Sequence, residues 1–134
     1  MSRTRLLLAD DNALVAAQIR TLLEPSFDVV GVVGSGEELE TAFESLVPEV
    51  VVADIAMPGV GGLVAAERIL TRHPGARIVL LSVMDASAII QRGLSMGVQG
   101  FVVKEDAADE LVLAVEAALE GRRYVSTAGR RGMA

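Results

Sequence analysis

The sequence predicts an α/β domain with a doubly wound, five-stranded parallel β-sheet, built from five successive βα units. Short runs rich in Val, Leu and Ile recur along the chain, and most are apolar at consecutive positions, as in strands buried on both faces. Amphipathic stretches long enough for helices separate these runs. A length of 134 residues and a hydrophobic content of 51% are sufficient for one domain with a single core.

The elements alternate regularly along the chain. The predicted strands are RLLLA (5–9), FDVVGVV (27–33), EVVVA (49–53), RIVLL (77–81) and GFVV (100–103). The predicted helices span residues 13–24, 36–46, 62–73, 86–96 and 107–120. At this size the flavodoxin-like strand order 2-1-3-4-5 is the natural arrangement.

Start and stop signals justify the helices in order. Asn12 is placed to cap the first helix, and Ser35 with Glu38 forms a capping box that opens the second. A proline follows the third helix, Gly97 follows the fourth, and Asp106 is placed to cap the fifth. Beyond the fifth helix, residues 126–134 are predicted to be a disordered tail or the start of a linker.

Composition excludes several classes of function. The chain has no cysteine, which excludes disulfides and thiolate metal sites and is typical of a cytoplasmic protein. A net charge of −6 argues against binding of nucleic acid by this domain alone. The apolar run near the N-terminus ends at two aspartates, and no stretch is long enough to span a bilayer, so no membrane association is expected.

Polar residues follow four of the five predicted strands. In parallel α/β sheets, ligands bind at the carboxyl ends of the strands, near the point where the strand order reverses. Each residue alone has an ordinary structural explanation, such as a helix cap or a solvated charge. Together they would lie at one edge of the sheet. They are Asp10 and Asp11 after strand 1, Asp54 after strand 3, Ser82 after strand 4 and Lys104 after strand 5.

The three aspartates require a positive partner. At an effective dielectric near 20, two like charges 4 Å apart repel by about 4 kcal/mol. A few hard oxygen ligands favour Mg²⁺, which usually takes one or two carboxylates and keeps several waters. Three aspartates, one divalent ion and Lys104, the single lysine of the chain, balance to zero net charge. Such a site suits attack of an aspartate oxygen on phosphorus, with the ammonium as a point charge on the phosphoryl oxygens.

These residues together resemble the pattern of a response-regulator receiver domain. The resemblance covers about residues 3–125, and we assign residues 1–125 to the receiver domain. The resemblance implies that Asp54, in VVVADIAMPG, is the phosphoacceptor and that Lys104 assists it. It also implies that Ser82 and Phe101 are switch residues. The implied Mg²⁺ ligands are Asp11, Asp54 and the backbone carbonyl of Ala56, with Asp10 acting mainly through water.

The segment after the fifth helix, ALEGRRYVS, resembles the NarL/FixJ class, and so does Glu105 where many receivers have proline. The resemblance implies a sensor histidine kinase as phosphoryl donor, a homodimer on phosphorylation, and DNA binding only through a C-terminal helix-turn-helix domain absent from these residues. Two positions depart from the family pattern. Val83 follows the switch serine in place of Ala or Gly, and Gly61 stands where Asp or Asn is common.

Two alternatives stay open from the sequence. A stand-alone receiver could relay phosphate or dock a partner. A haloacid-dehalogenase-type phosphatase also combines Asp, Ser or Thr, Lys and Mg²⁺, but it needs an acid two residues after its nucleophile. Asp54 is followed by Ala56 at that place, and Asp10 by Asn12. We therefore expect no enzymatic activity beyond the protein's own phosphorylation and dephosphorylation.

Overall fold

Strands and helices alternate along the chain in a computed structural model that describes residues 3–134. The strands are β1 Arg5–Ala9, β2 Asp28–Val33, β3 Val50–Asp54, β4 Ile78–Ser82, β5 Gly100–Val103 and β6 Tyr124–Val125. The helices are α1 Ala13–Leu23, α2 Gly36–Leu46, α3 Gly62–Arg72, α4 Ser87–Ser95, α5 Ala107–Leu119 and α6 Thr127–Met133, with a short 3₁₀ turn at Lys104–Asp106. No helix within residues 3–134 is long and apolar enough to cross a membrane.

All strand pairings are parallel, and the sheet order is β2-β1-β3-β4-β5-β6. The order 2-1-3-4-5 is therefore confirmed for the first five strands. The prediction of a five-stranded sheet is wrong, because β6 adds a sixth strand beside β5. That strand has only two residues, too few for a periodic apolar pattern to reveal it.

Two apolar layers cover the sheet, and the alternation of side chains along each strand separates them. In β1, Leu7 faces the layer formed with α2, α3 and α4, whereas Leu6 and Leu8 face the layer formed with α1 and α5. β3 follows the same rule, and all five of its residues are buried. Helices on both faces explain why the strand sequences are apolar at consecutive positions.

The C-terminal segment is ordered, which corrects the prediction of a disordered tail at 126–134. β6 pairs with β5, and α6 follows it with Ala128 buried in the layer that contains α4. Ser126 is fully buried; its amide donates to the carbonyl of Phe101 at 3.0 Å, and its hydroxyl accepts from the amide of Val103 at 2.9 Å. Polar contacts to β5 therefore hold a segment whose composition alone indicated disorder.

Acidic side chains complete the attachment of α6. The sequence predicted that Asp106 caps α5, and this prediction is wrong. The carboxylate of Asp106 instead accepts from the amide of Ala128 at 2.8 Å. Glu110 accepts from the Tyr124 hydroxyl at 2.8 Å and from the Thr127 amide at 3.1 Å. The predicted caps at Asn12 and Ser35 are confirmed, with the amides of Val15 and Glu38 as donors.

Glycines allow α6 to lie close to its neighbours. A Cβ atom at Gly132 would stand 1.8 Å from the carbonyl oxygen of Asp85, in the loop between β4 and α4. Glycine has a low helix propensity, so Gly129 and Gly132 weaken the sequence signal for a helix. Close packing against the loop requires glycine there nevertheless.

Replacement of Ser126 by alanine is expected to destabilise the fold. Ser126→Ala leaves the buried amide of Val103 without its acceptor, which costs about 1–3 kcal/mol of unfolding free energy. Urea unfolding followed by far-UV circular dichroism measures the change. Ser45→Ala, at an exposed position in α2, is the control and should change stability little. Equal unfolding midpoints for Ser126→Ala and the wild type would contradict this account.

Candidate functional site

Sheet register brings the predicted site residues to one edge. Ala9 pairs with Ala53, so the aspartates that follow them, Asp10 and Asp54, leave adjacent strands at the same level. Ser82 pairs with Val103 in β5, so Lys104, the next residue, lies one position beyond the end of β4. All four residues therefore stand at the carboxyl ends of their strands, as the order of the elements predicts.

Lys104 contacts both buried aspartates. Its Nζ lies 3.0 Å from Oδ2 of Asp54 and 3.3 Å from Oδ2 of Asp10. Asp10 and Asp54 are 3% and 6% exposed, so the ammonium is the positive charge beside two carboxylates that water scarcely reaches. The predicted association of the single lysine with the aspartates is present in the fold.

The remaining oxygens of these aspartates bind backbone amides. Oδ1 of Asp54 accepts from the amide of Ala56 at 3.2 Å, and Oδ1 of Asp10 accepts from the amide of Asn12 at 2.9 Å. Each carboxylate is thus oriented by a turn two residues downstream and by the lysine across the sheet. The sequence signal for the Asn12 contact is the preference of Asp for such turns.

Burial and charge act in opposite directions on the ionisation of this pair. Burial raises the pKa of Asp54, and the hydrogen bond and charge of Lys104 only partly offset that effect, so the pKa lies above its ordinary value. Burial alone would lower the pKa of Lys104, but Asp54 and Asp10 outweigh it and raise the pKa. Lys104 is therefore charged at neutral pH, and ionised Asp54 lacks full compensation.

The acidic residues can hold a metal ion. Asp10, Asp11 and Asp54 each offer one oxygen, and these oxygens lie within 4.8 Å of one another. Opposite oxygens around Mg²⁺ lie about 4.1 Å apart, because each metal–oxygen distance is 2.0–2.1 Å. The three oxygens lie within about 1 Å of that limit. Asp11 and Ala56 are exposed, which leaves room for waters, and the Ala56 carbonyl stays a predicted ligand.

Ser82 and Phe101 lie near the site without contacting the aspartates. The Ser82 side chain is buried at the end of β4, and its hydroxyl oxygen accepts from the amide of Met84 at 2.9 Å. Phe101 is fully buried in the layer beneath α4, where its ring lies next to Gly93. The two predicted switch residues thus occupy inner positions on neighbouring strands. The Met84 contact is a local turn that sequence reasoning missed.

Residues 6–116 match the family of response regulator receiver domains, and the chain belongs to that family. It is a receiver domain of a two-component response regulator. The chain is 36% identical over 124 residues to the response regulator GacA of Pseudomonas viridiflava, with 91% of this chain and 58% of GacA covered. It is 30% identical over 126 residues to the transcriptional regulatory protein DegU of Brevibacillus brevis, with 92% and 53% covered.

The chain thus spans a little more than half the length of these curated relatives. They are regulators of the NarL/FixJ type, which confirms that part of the resemblance. Among solved structures, a LuxR-family response regulator from Aurantimonas sp. SI85-9A1 matches with a TM-score of 0.93 at 32% identity, covering 98% of this chain and 96% of that one. The receiver domain of the putative regulator NarL from Mycobacterium tuberculosis matches with a TM-score of 0.85 at 28% identity, covering 91% and 100%.

Replacement of Asp54 by asparagine is expected to stabilise the metal-free protein at neutral pH. The pKa of Asp54 is higher in the folded protein than in the unfolded chain, where it is about 3.9. Protonation of Asp54 therefore stabilises the fold below pH 3.9, and this stabilisation is lost as the pH rises through the raised pKa. Asp54→Asn should therefore unfold at higher urea than the wild type at pH 7 in EDTA. The difference should shrink toward pH 4.

Asp28→Asn, at an exposed position of β2, is the matched control and should show little of this pH dependence. A wild type that is more stable than Asp54→Asn at pH 7 without metal would show that Lys104 compensates the buried charge fully.

Proposed function

We propose that this receiver accepts a phosphoryl group on Asp54 from a phosphohistidine of a sensor histidine kinase, in a Mg²⁺-dependent reaction. The observation that carries the proposal is the position of Lys104 Nζ, within 3.0 Å of Asp54 and 3.3 Å of Asp10, at the edge where three carboxylates meet. A lone structural ion pair would not need a third carboxylate beside it.

In the proposed transfer, a carboxylate oxygen of Asp54 forms a bond to phosphorus while the phosphorus–nitrogen bond to the donor histidine breaks. Lys104 places its positive charge on the phosphoryl oxygens, where a compact ammonium suits the task. Asp10, Asp11 and Asp54 would hold Mg²⁺, which when bound neutralises phosphoryl charge. Asn12 and Ala56 keep the carboxylates oriented through their amides.

Phosphorylation would change the charge of the site and thereby its neighbours. Phosphorylation of Asp54 removes one carboxylate charge and adds a phosphoryl group that carries about −1.5 to −2 charge and three strong acceptor oxygens. We infer that Ser82 gives up its contact with the Met84 amide and donates its hydroxyl to a phosphoryl oxygen. Movement at the end of β4 would shift Phe101 beneath α4 and change the face formed by α4, β5 and α5.

The output of this switch is proposed from the relatives. DegU is named a transcriptional regulatory protein, and one solved structure shows RcsB dimers bound to DNA. We propose that the changed face promotes homodimerisation and controls DNA binding by a helix-turn-helix domain outside these residues. The absence of cysteine in the sequence supports a cytoplasmic location. The alternative is a stand-alone receiver that relays phosphate or docks a partner protein.

We propose that the protein catalyses only its own phosphorylation and dephosphorylation and does not act as an enzyme on other molecules. A phosphatase of the haloacid-dehalogenase type needs an acid two residues after the nucleophile. At that place relative to Asp54 stands Ala56, and relative to Asp10 stands Asn12, whose side-chain oxygen accepts from the Val15 amide as a helix cap. Neither can donate a proton as the required acid would.

Incubation with Mg²⁺ and acetyl phosphate tests the phosphoacceptor. We expect one phosphoryl adduct per chain by intact-mass spectrometry, and none after addition of EDTA. Asp54→Asn should give no adduct, whereas Asp28→Asn, at an exposed strand position, should be phosphorylated normally. An adduct that survives Asp54→Asn would exclude Asp54 as the acceptor. Multiple turnover of a phosphomonoester would favour the phosphatase instead.

Replacement of Lys104 by arginine tests whether a compact ammonium is needed. We expect Lys104→Arg to slow phosphorylation by at least about tenfold, equal to about 1.4 kcal/mol of lost transition-state stabilisation. The planar guanidinium cannot occupy the Nζ position between Asp10 and Asp54. The initial rate of adduct formation measures the effect, with the exposed Arg131→Lys as control. An unchanged rate in Lys104→Arg would remove this role.

A further inference from the structure

The loop between β3 and α3, residues 55–61, carries Ala56 and follows Asp54 directly. Its base is closed: the amide of Gly62 donates to the carbonyl of Ile55 at 2.9 Å, and a Cβ atom at Gly62 would stand 1.9 Å from the carbonyl oxygen of Asp54. Within the loop, Met57 is buried in the apolar core, and Ile55 and Val60 are partly buried against it. The exposed residues of the loop, Ala56 among them, lack such packing.

Helix α3 does not support the loop through a capping side chain. Its N-cap is Gly61, which makes no side-chain hydrogen bond. An Asp or Asn at an N-cap accepts from amides of the first turn and thereby fixes the entry to the helix. The sequence lacks such a group at the position where the loop enters α3.

Helix α2 contacts the loop instead. The amide of Val60 donates to Oε1 of Glu37 at 2.6 Å. The first turn of α2 also approaches the loop backbone, because a Cβ atom at Gly36 would stand 1.9 Å from the carbonyl oxygen of Val60. Gly59 has φ of +68°, a left-handed conformation that favours glycine, and a Cβ atom there would stand 2.6 Å from Oε2 of Glu37.

A charge in the first turn of α2 would by itself be an ordinary stabilising feature. Glu37 and Glu38 both occupy that turn, and they differ in what they bind. Glu38 accepts from the amide of Gly34, four residues earlier in the same segment, at 3.2 Å. Glu37 reaches 23 residues along the chain to Val60. Of these two carboxylates, Glu37 is therefore the one that joins α2 to the loop that carries Ala56.

We propose that Glu37 is a positioning residue for the phosphorylation site. By holding the amide of Val60, it fixes the outer end of the loop and with it the backbone at Ala56, whose amide orients Asp54 and whose carbonyl is a predicted Mg²⁺ ligand. It performs for this loop the task that a capping side chain at position 61 would otherwise perform. The proposal rests on the proposed Mg²⁺-dependent phosphorylation of Asp54, and it assigns a role to a residue that lies outside the phosphorylation site.

Two substitutions separate the hydrogen bond from the charge. Glu37→Ala removes the acceptor, whereas Glu37→Gln removes the charge and keeps an amide oxygen that can accept from Val60. Glu67→Gln is the control for charge alone, because Glu67 is exposed on α3 and its carboxylate makes no hydrogen bond or ion pair with residues 3–134. Glu37 is itself exposed, so all three variants should fold.

The first measurement uses nuclear magnetic resonance on the full chain. In the metal-free protein, hydrogen exchange of the Val60 amide should be faster in Glu37→Ala than in the wild type. Titration with Mg²⁺, followed by the amide signals of Asp11 and Ala56, should then give a dissociation constant raised about tenfold, as for other supports of metal ligands. Glu37→Gln and Glu67→Gln should remain close to the wild type in both measurements.

The second measurement is the rate of phosphorylation by acetyl phosphate as a function of Mg²⁺ concentration. Glu37→Ala should need about tenfold more Mg²⁺ for half-maximal rate, with a maximal rate close to that of the wild type. An unchanged Mg²⁺ dissociation constant in Glu37→Ala overturns the proposal, and so does an equal effect in Glu37→Gln or Glu67→Gln. A wild type that binds Mg²⁺ without forming an adduct overturns the proposed function and leaves the titration as the test of Glu37.

Discussion

Two carboxylates, Asp10 and Asp54, are buried at the carboxyl edge of the sheet, and the ammonium of Lys104 contacts both. An uncompensated charge in such surroundings costs several kcal/mol, so the fold requires a cation there. Lys104 meets only part of that need, because the pKa of Asp54 remains raised. The incomplete balance is what a further cation at this cluster, such as the Mg²⁺ of the proposed reaction, would complete. β5 presents the lysine, and β1 and β3 present the aspartates, at the same edge of the sheet.

The strand that presents Lys104 is also the strand to which the C-terminal segment is attached. The residue before Lys104, Val103, donates its amide to the buried hydroxyl of Ser126, and Phe101 pairs with Val125. Asp106, two residues after the lysine, holds the first turn of α6. Hydrogen bonds therefore connect α6 directly to β5 and to the turn that follows Lys104.

On the opposite side of the site, support comes from α2 through Glu37 and from the closed base of the loop at residues 55 and 62. The two sides differ in kind. The β5 side is buried and extends toward α4 and α6. The α2 side is solvent-exposed and bears on one short loop, where it affects the geometry of Asp54 and Ala56. Asp54 thus has a partly buried neighbour, Lys104, on one side and an exposed supporting loop on the other.

The sequence by itself determined the five βα units, the order of the first five strands and the meeting of Asp10, Asp11, Asp54 and Lys104 at one edge. These follow from local periodicity and from the rule that parallel strands end at the same edge. Tertiary structure alone decided that residues 124–133 add a strand and a helix, that Asp106 binds Ala128 rather than capping α5, and that Glu37 holds Val60. Each of these contacts joins a side chain to a backbone amide 22 or 23 residues away. Such pairs leave no periodic signal, because both partners become neighbours only after the sheet and its helices have packed.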